Sequence, residues 1–168
     1  MIFELQGRAR LLGDDINTDY IISSSRKKEN PDPAVLKRYL LADLDPAFAA
    51  SVREGDLLVA GWNFGCGSAM EVAVTVVLAS GIRAVLARSF ARTYYRNAIN
   101  NGLVPVVCEV SGIREGDPLR LIVEAGAARL MVGPSGAGIP ARAPAGIALE
   151  IVRMGGLVQY FKAHHDFK

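Results

Sequence analysis

Short apolar blocks separated by turn-forming stretches run along most of the chain. Residues 2–12 have strand character, and Gly13-Asp14-Asp15-Ile16-Asn17-Thr18-Asp19 breaks it. Residues 20–22 read as extended and 23–31 as a polar, mobile stretch. Residues 33–41 read as a helix with Asp32 as N-cap and Pro33 in the first position, and 45–48 open another helical turn. In the middle of the chain, 56–60 read as a strand. Residues 70–80 (MEVAVTVVLAS) have the length and composition of a buried helix closed by Gly81. A buried strand follows at 83–87, then a helix at 90–101 capped by Ser89 and ended by Gly102, then a strand at 104–108. This order predicts a parallel βαβαβ core. Residues 119–124 and 128–132 read as a hairpin around 125–127, 133–144 as a Gly/Pro/Ala loop, and 145–154 and 157–164 as helices split by Gly155-Gly156. With no repeat or low-complexity segment, the expectation is one α/β domain over 1–168 with β-rich flanks.

The loop after the strand at 56–60 changes this picture most. It reads GWNFGCGSAME, and six of its eleven residues are Gly, Ala, Ser or Cys. Residues this small, ahead of an apolar helix, let backbone N–H groups approach a ligand closely. Strand, glycine loop and helix start form a geometry that holds an anion, with Ser68 at the cap. A tight turn with close packing accounts for the same composition. On the loop alone the two readings stand about equal, because G-x-G is a weak signal.

Composition mainly excludes. The chain has 168 residues, 51% hydrophobic and 21% charged, with a formal net charge of +2. That is ordinary for a globular protein and gives no pull toward nucleic acid or a membrane surface. No apolar run reaches membrane-span length, and MIFELQGRAR lacks a signal-peptide pattern. The two cysteines, Cys66 and Cys108, are far apart and follow no metal-ligand spacing. A cytoplasmic protein with reduced thiols is the expectation, and two thiols do not make the usual ligand set of an iron–sulfur cluster.

Four motifs then coincide in order: DDINTDYII, NFGCGS, SFARTYYRNAINNG and LEIVRMGGLVQY. Together they resemble the small subunit of 3-isopropylmalate dehydratase and homoaconitase, nearly from end to end. The resemblance implies the aconitase swivelling-domain fold of β/β/α layers. It implies a partner, the large dehydratase subunit, which carries a four-iron–four-sulfur cluster, with no cofactor or metal in this chain. It also implies a reaction: dehydration and rehydration of a 2- or 3-hydroxy acid of isopropylmalate or homoaconitate type. A divergent paralogue acting on another malate-like acid, and a non-catalytic binding subunit, are the alternatives. Whether the isolated chain forms a homo-oligomer stays open.

Residue by residue, the family pattern G-x-G-S-S-R-E falls on Gly65-Cys66-Gly67-Ser68-Ala69-Met70-Glu71. By this resemblance Ser68 is the base that takes a substrate proton, and Gly67 supplies a backbone donor for its anion. Ala69 replaces a second hydroxyl, and Met70 replaces an arginine that clamps a substrate carboxylate; methionine offers no such pair. Asp19 matches the aspartate of N-T-D, with a structural turn as the other reading. The substrate-reading loop falls on Arg26, Lys27 and Lys28, whose cations suit a carboxylate; a solvated loop is the other reading. Arg92, Arg96, Asn97 and Asn100 match a helix motif that more often holds loops together than binds ligand.

Overall fold

The computed structural model describes residues 3–165 other than 126 and 135, so Ile2 of the first expected strand and Gly126 of the expected hairpin turn lie outside the described residues. The elements in order are β1 (Phe3–Leu11), α1 (Thr18–Ile21), α2 (Ser24–Glu29), α3 (Pro33–Leu36), a 3-10 turn (Lys37–Tyr39) and α4 (Phe48–Ser51). Then come β2 (Leu57–Ala60), α5 (Val72–Ala79), β3 (Ala84–Ala87), α6 (Arg92–Asn101) and β4 (Val104–Cys108). β5 (Pro118–Glu124), β6 (Ala127–Val132), β7 (Ala137–Arg142), α7 (Ile147–Arg153) and α8 (Leu157–His164) complete the described chain.

The expected parallel core is present: β2 pairs with β3 and β3 with β4, both parallel. β1 adds a fourth parallel strand beside β2, through Ala9↔Leu57 and Leu11↔Val59. On its other edge β1 runs antiparallel to β5. The antiparallel strands β5, β6 and β7 then close the ring onto β4. The parallel and antiparallel halves therefore form one seven-stranded barrel, in the order β1-β2-β3-β4-β7-β6-β5.

Strand pleating divides the apolar residues into two cores. Leu58, Ala60, Val85 and Ala87 pack with the helices α1, α3 and α5, including Val74, Val76 and Val77. Leu57, Val59, Ala84, Leu86, Val104 and Val106 pack with Leu119, Leu121, Val123 and Leu130 of the antiparallel half, and with Leu149, Val152 and Tyr160 of α7 and α8. α5 buries Val72, Ala73, Val74, Val76 and Val77 and has no strongly polar face, as the run MEVAVTVVLAS anticipates.

Three expectations need correction. Residues 20–22 do not run extended: Tyr20 and Ile21 sit in α1, whose start is capped by Asn17, its Oδ1 accepting from Asp19 N at 2.9 Å. The polar stretch 23–31 contains a helix, α2. The Gly/Pro/Ala loop contains β7, which pairs with β6 along its length but with β4 only through Val107↔Arg142 and Cys108↔Ala141. Most of β7 thus has one unpaired edge, where Pro140 is tolerated. Asp32 caps α3 as expected, accepting from Ala34 N at 2.9 Å.

Candidate active-site edge

The parallel strands β1, β2 and β3 end at one edge of the barrel, and the loop after each meets the others there. That is where open α/β sheets place ligands. Residues 12–17 run beside residues 61–68 like an extra pair of strands. Asp15 N donates to Trp62 O at 2.8 Å, Gly65 N to Ile16 O at 2.8 Å and Thr18 N to Cys66 O at 2.8 Å. Carboxylates reinforce the pairing: Asp14 Oδ1 accepts from Trp62 N at 2.8 Å and Asp15 Oδ1 from Asn63 Nδ2 at 2.9 Å. The acidic turn is therefore exposed but structural, holding the glycine loop in place. On the other side, residues 88–91 grip the same loop. Ser89 Oγ accepts from Asn63 N at 2.7 Å, Ser89 O from Phe64 N at 3.0 Å, and Arg88 N donates to Gly61 O at 3.0 Å.

The glycines permit this approach. Gly65 (φ +81°) has the buried Tyr94 ring where a Cβ would stand, and Gly67 (φ +95°) has the Asn17 carboxamide there. Both conformations are ones that L side chains rarely adopt. Phe64 anchors the loop from below, edge-on to Phe90 at 5.9 Å and to Tyr94 at 5.1 Å. The Tyr94 hydroxyl donates to Ala73 O at 3.0 Å, tying α6 to α5.

Ser68 stands exposed on this edge, with no side-chain partner among the described residues. Its carbonyl accepts from Thr18 Oγ1 at 2.9 Å, which fixes its backbone. It is not the cap of α5: that helix starts at Val72, with Glu71 in the N-cap position. Likewise Ser89 does not cap α6, which starts at Arg92 after Ala91; its hydroxyl serves the glycine loop instead. Asp19 follows Thr18 directly, so it reaches the same edge; its carboxylate is exposed and unpaired among the described residues. Gly67 is exposed beside Ser68.

The cations divide. The Arg26 guanidinium lies 4.2 Å over the Tyr39 ring and 3.5 Å from Glu29 Oε2, so it is already engaged. Lys27 and Lys28 on α2 are exposed and make no ion pair among the described residues. Arg92 and Arg96 are exposed on α6, while Asn97 O accepts from Asn101 Nδ2 at 2.9 Å within the helix. Met70 is 7% exposed and belongs to the helical core.

Residue-by-residue reading of the sequence missed one contact at this edge. Arg88 Nη2 donates to Glu109 Oε1 at 2.6 Å, and its guanidinium lies 5.8 Å from the ring of Trp62, which is exposed. Bonds from the Ser111 backbone and hydroxyl, and then from Arg88, hold the Glu109 carboxyl down at about 2. The contact should persist through mild acid and be lost only as pH falls through that value. Carboxyl-carbon NMR should show Glu109 titrating near about 2, with Arg88→Gln raising the midpoint only part of the way to the ordinary value of about 4.3, since Ser111 remains. An ordinary midpoint in the unmodified chain would mean that the contact is not held in solution.

Among the described residues no three His, Cys, Asp or Glu side chains gather to hold a metal. Cys66 is half-buried, and burial, with Glu109 beside it, pushes the Cys108 thiol up to about 11. No helix among the described residues is long and apolar enough to cross a membrane.

Comparison with known proteins agrees with this architecture. Residues 23–110 match the family described as Aconitase C-terminal domain. The chain is 40% identical over 158 residues to the methanogen homoaconitase small subunit of Methanocaldococcus jannaschii, covering 94% of this chain and 91% of that one. It is 42% identical over 161 residues to the 3-isopropylmalate dehydratase small subunit of Caldanaerobacter subterraneus subsp. tengcongensis, covering 94% and 98%. The crystal structure of a 3-isopropylmalate dehydratase chain from Methanocaldococcus jannaschii superposes with a TM-score of 0.91 at 39% identity, over 97% of this chain and 96% of that one. With sequence and fold agreeing over nearly the whole length, the chain belongs to the aconitase C-terminal domain family, in the branch of homoaconitase and 3-isopropylmalate dehydratase small subunits.

Proposed function

We propose that this chain is the small subunit of a cytoplasmic two-subunit hydro-lyase that dehydrates and rehydrates a hydroxy acid of isopropylmalate or homoaconitate type. It acts as one swivelling domain, over residues 1–168, against a large subunit. The observation that carries the reading is the exposed Ser68, with its backbone held by Thr18 and flanked by Gly67, on a loop gripped from both sides. Ser68 serves as the base at the substrate carbon. Its hydroxyl is a weak base unless donors stabilise its anion, and the exposed Gly67 main chain beside it supports that role. Asp19 orients the polar groups of the edge.

The iron–sulfur cluster implied by the family does not fit this chain. Two cysteines, one of them buried with a raised pKa, leave no thiolate set for it, and no cluster-holding group forms among the described residues. The large subunit is then the cluster's holder. This chain's part is the base, the backbone and the substrate-facing cations.

Met70 supports a second reading, a divergent paralogue acting on another malate-like acid. The position that would carry a clamping guanidinium is instead a core position, so an arginine there must either leave the core or bury a charge. A carboxylate clamp then falls to Lys27 and Lys28, with Arg26 held on Tyr39. The test is the reconstituted two-subunit complex assayed against a panel of hydroxy acids. Neutralising Arg26, Lys27 and Lys28 together should lower kcat/KM about tenfold to a hundredfold, the scale of one or two charge-assisted contacts. Lys27→Gln with Lys28→Gln should account for most of that loss. An unchanged kcat/KM would move the clamp to the large subunit, and no turnover of any panel member would favour a binding subunit.

A further inference from the structure

A pocket of about 150 Å³ opens at the barrel end opposite the candidate active-site edge. Arg83 immediately precedes β3 and Val104 opens β4, so the pocket sits at the amino ends of the parallel strands, whereas Ser68 lies beyond their carboxyl ends. Phe3 and Leu5 of β1, Val104 of β4 and Val152 of α7 give it an apolar lining, all packed with the barrel core. Arg83 and Arg153 complete the wall.

Five of the chain's fourteen arginines make ion pairs among the described residues, and the two that line this pocket are not among them. Arg8, Arg10, Arg26, Arg88 and Arg120 each lie within salt-bridge distance of a carboxylate. Arg83 and Arg153 pair with none among the described residues, not even with Glu150 one turn earlier on α7. Each also starts from a fixed base. Arg83 O accepts from Val104 N at 3.0 Å, and Arg153 ends α7, whose neighbour Val152 is buried. Two unneutralised guanidinium groups beside an apolar surface are complementary to a ligand with one carboxylate and a short hydrocarbon chain. An apolar cavity of about this size accommodates a six-carbon molecule. A bare polyanion would leave the apolar lining unused, and a neutral hydrocarbon would leave the cations unused.

We propose that this pocket is a second ligand site, binding a small aliphatic monocarboxylate with its carboxylate on Arg83 and Arg153 and its chain on Phe3, Leu5, Val104 and Val152. The site does not depend on the proposed reaction, because it shares no residue with the Ser68 edge.

The test is titration of the full, methyl-labelled chain with hexanoate, followed by NMR. Saturable shifts are expected at the Leu5, Val104 and Val152 methyls and not around Ser68. Hexanamide, the same chain without the charge, should bind at least about tenfold more weakly. Arg83→Gln and Arg153→Gln should each weaken hexanoate binding by about tenfold and together by about a hundredfold, one charge-assisted contact apiece. Both side chains are exposed, so the thermal midpoint should not move. Equal binding of hexanamide, shifts confined to the Ser68 loop, or no saturable shift at the three methyls would each overturn the proposal.

Discussion

Ser68→Ala in the reconstituted two-subunit complex should lower kcat by about 10²–10⁴-fold, the range for loss of a positioned base. KM should change little, because a proton-transfer role is expressed in the transition state rather than in ground-state binding. The structure makes this a clean substitution. The hydroxyl is exposed and unpaired among the described residues, and the contact that holds the backbone, Thr18 Oγ1 to Ser68 O at 2.9 Å, survives in alanine. Circular dichroism and co-purification with the large subunit should match the unmodified chain. A near-normal kcat would reduce Ser68 to a spacer in the loop and remove the base from this chain.

Asp56→Ala should destabilise the fold by about 3–5 kcal/mol, the cost of breaking a buried ion-pair network by removing one partner. The Asp56 side chain is 2% exposed, and its carboxylate accepts from Arg8 Nε at 2.9 Å, Arg8 Nη2 at 2.7 Å, Arg10 Nη1 at 3.3 Å and Arg53 N at 2.9 Å. Without it, the Arg10 side chain, 8% exposed, keeps Glu115, Ser51 and the Phe48 ring 4.5 Å away, and loses its buried carboxylate. Burial pushes the Asp56 pKa up, but the bonds from Arg8, the Arg53 backbone and Arg10 outweigh it and hold the carboxyl below its usual value. A depressed folded-state pKa contributes stability that is present above the unfolded value of about 3.9 and lost as pH falls through the folded one. Urea denaturation should therefore show a lower midpoint at unchanged slope for the variant, and the gap should narrow in acid. Should the alanine variant not fold, Asp56→Asn gives the graded version. A midpoint equal to that of the unmodified chain in both variants would mean that the network contributes nothing.

The strand-helix alternation of residues 56–108 was legible because β2, β3, β4 and α5 are largely buried and read as continuous apolar blocks, while α6, which buries only Tyr94, Ala98 and Ile99, is closed by Gly102. β2 and β3 are buried at every position, and α5 carries no strongly polar face. The missed elements are short or carry the composition of a turn or loop, so no apolar block announces them. α1 is four residues long, too short to form alone, and stands on its Asn17 cap and on the buried Thr18 and Ile21. β7 has a loop's composition and is a strand because β6 offers it a ladder.

At the candidate site, residue identities and the glycine loop came from the sequence, together with the family to which the four motifs point. Tertiary structure decided what those residues do for one another. In the sequence Asp14 and Asp15 are only part of a strand-breaking turn; in the fold their carboxylates are found on Trp62 N and Asn63 Nδ2. Ser89 looks like a helix cap until its hydroxyl is found on the glycine loop. Met70 stands by resemblance where a clamping arginine would be, and the structure adds that this position is buried. The difference is physical. Periodicity, small side chains and local capping act between near neighbours in the chain, and a sequence displays them directly. Barrel closure between β1 and β5 and between β4 and β7, and the meeting of three loops at one edge, depend on pairings between residues dozens of positions apart, which only the folded chain brings together.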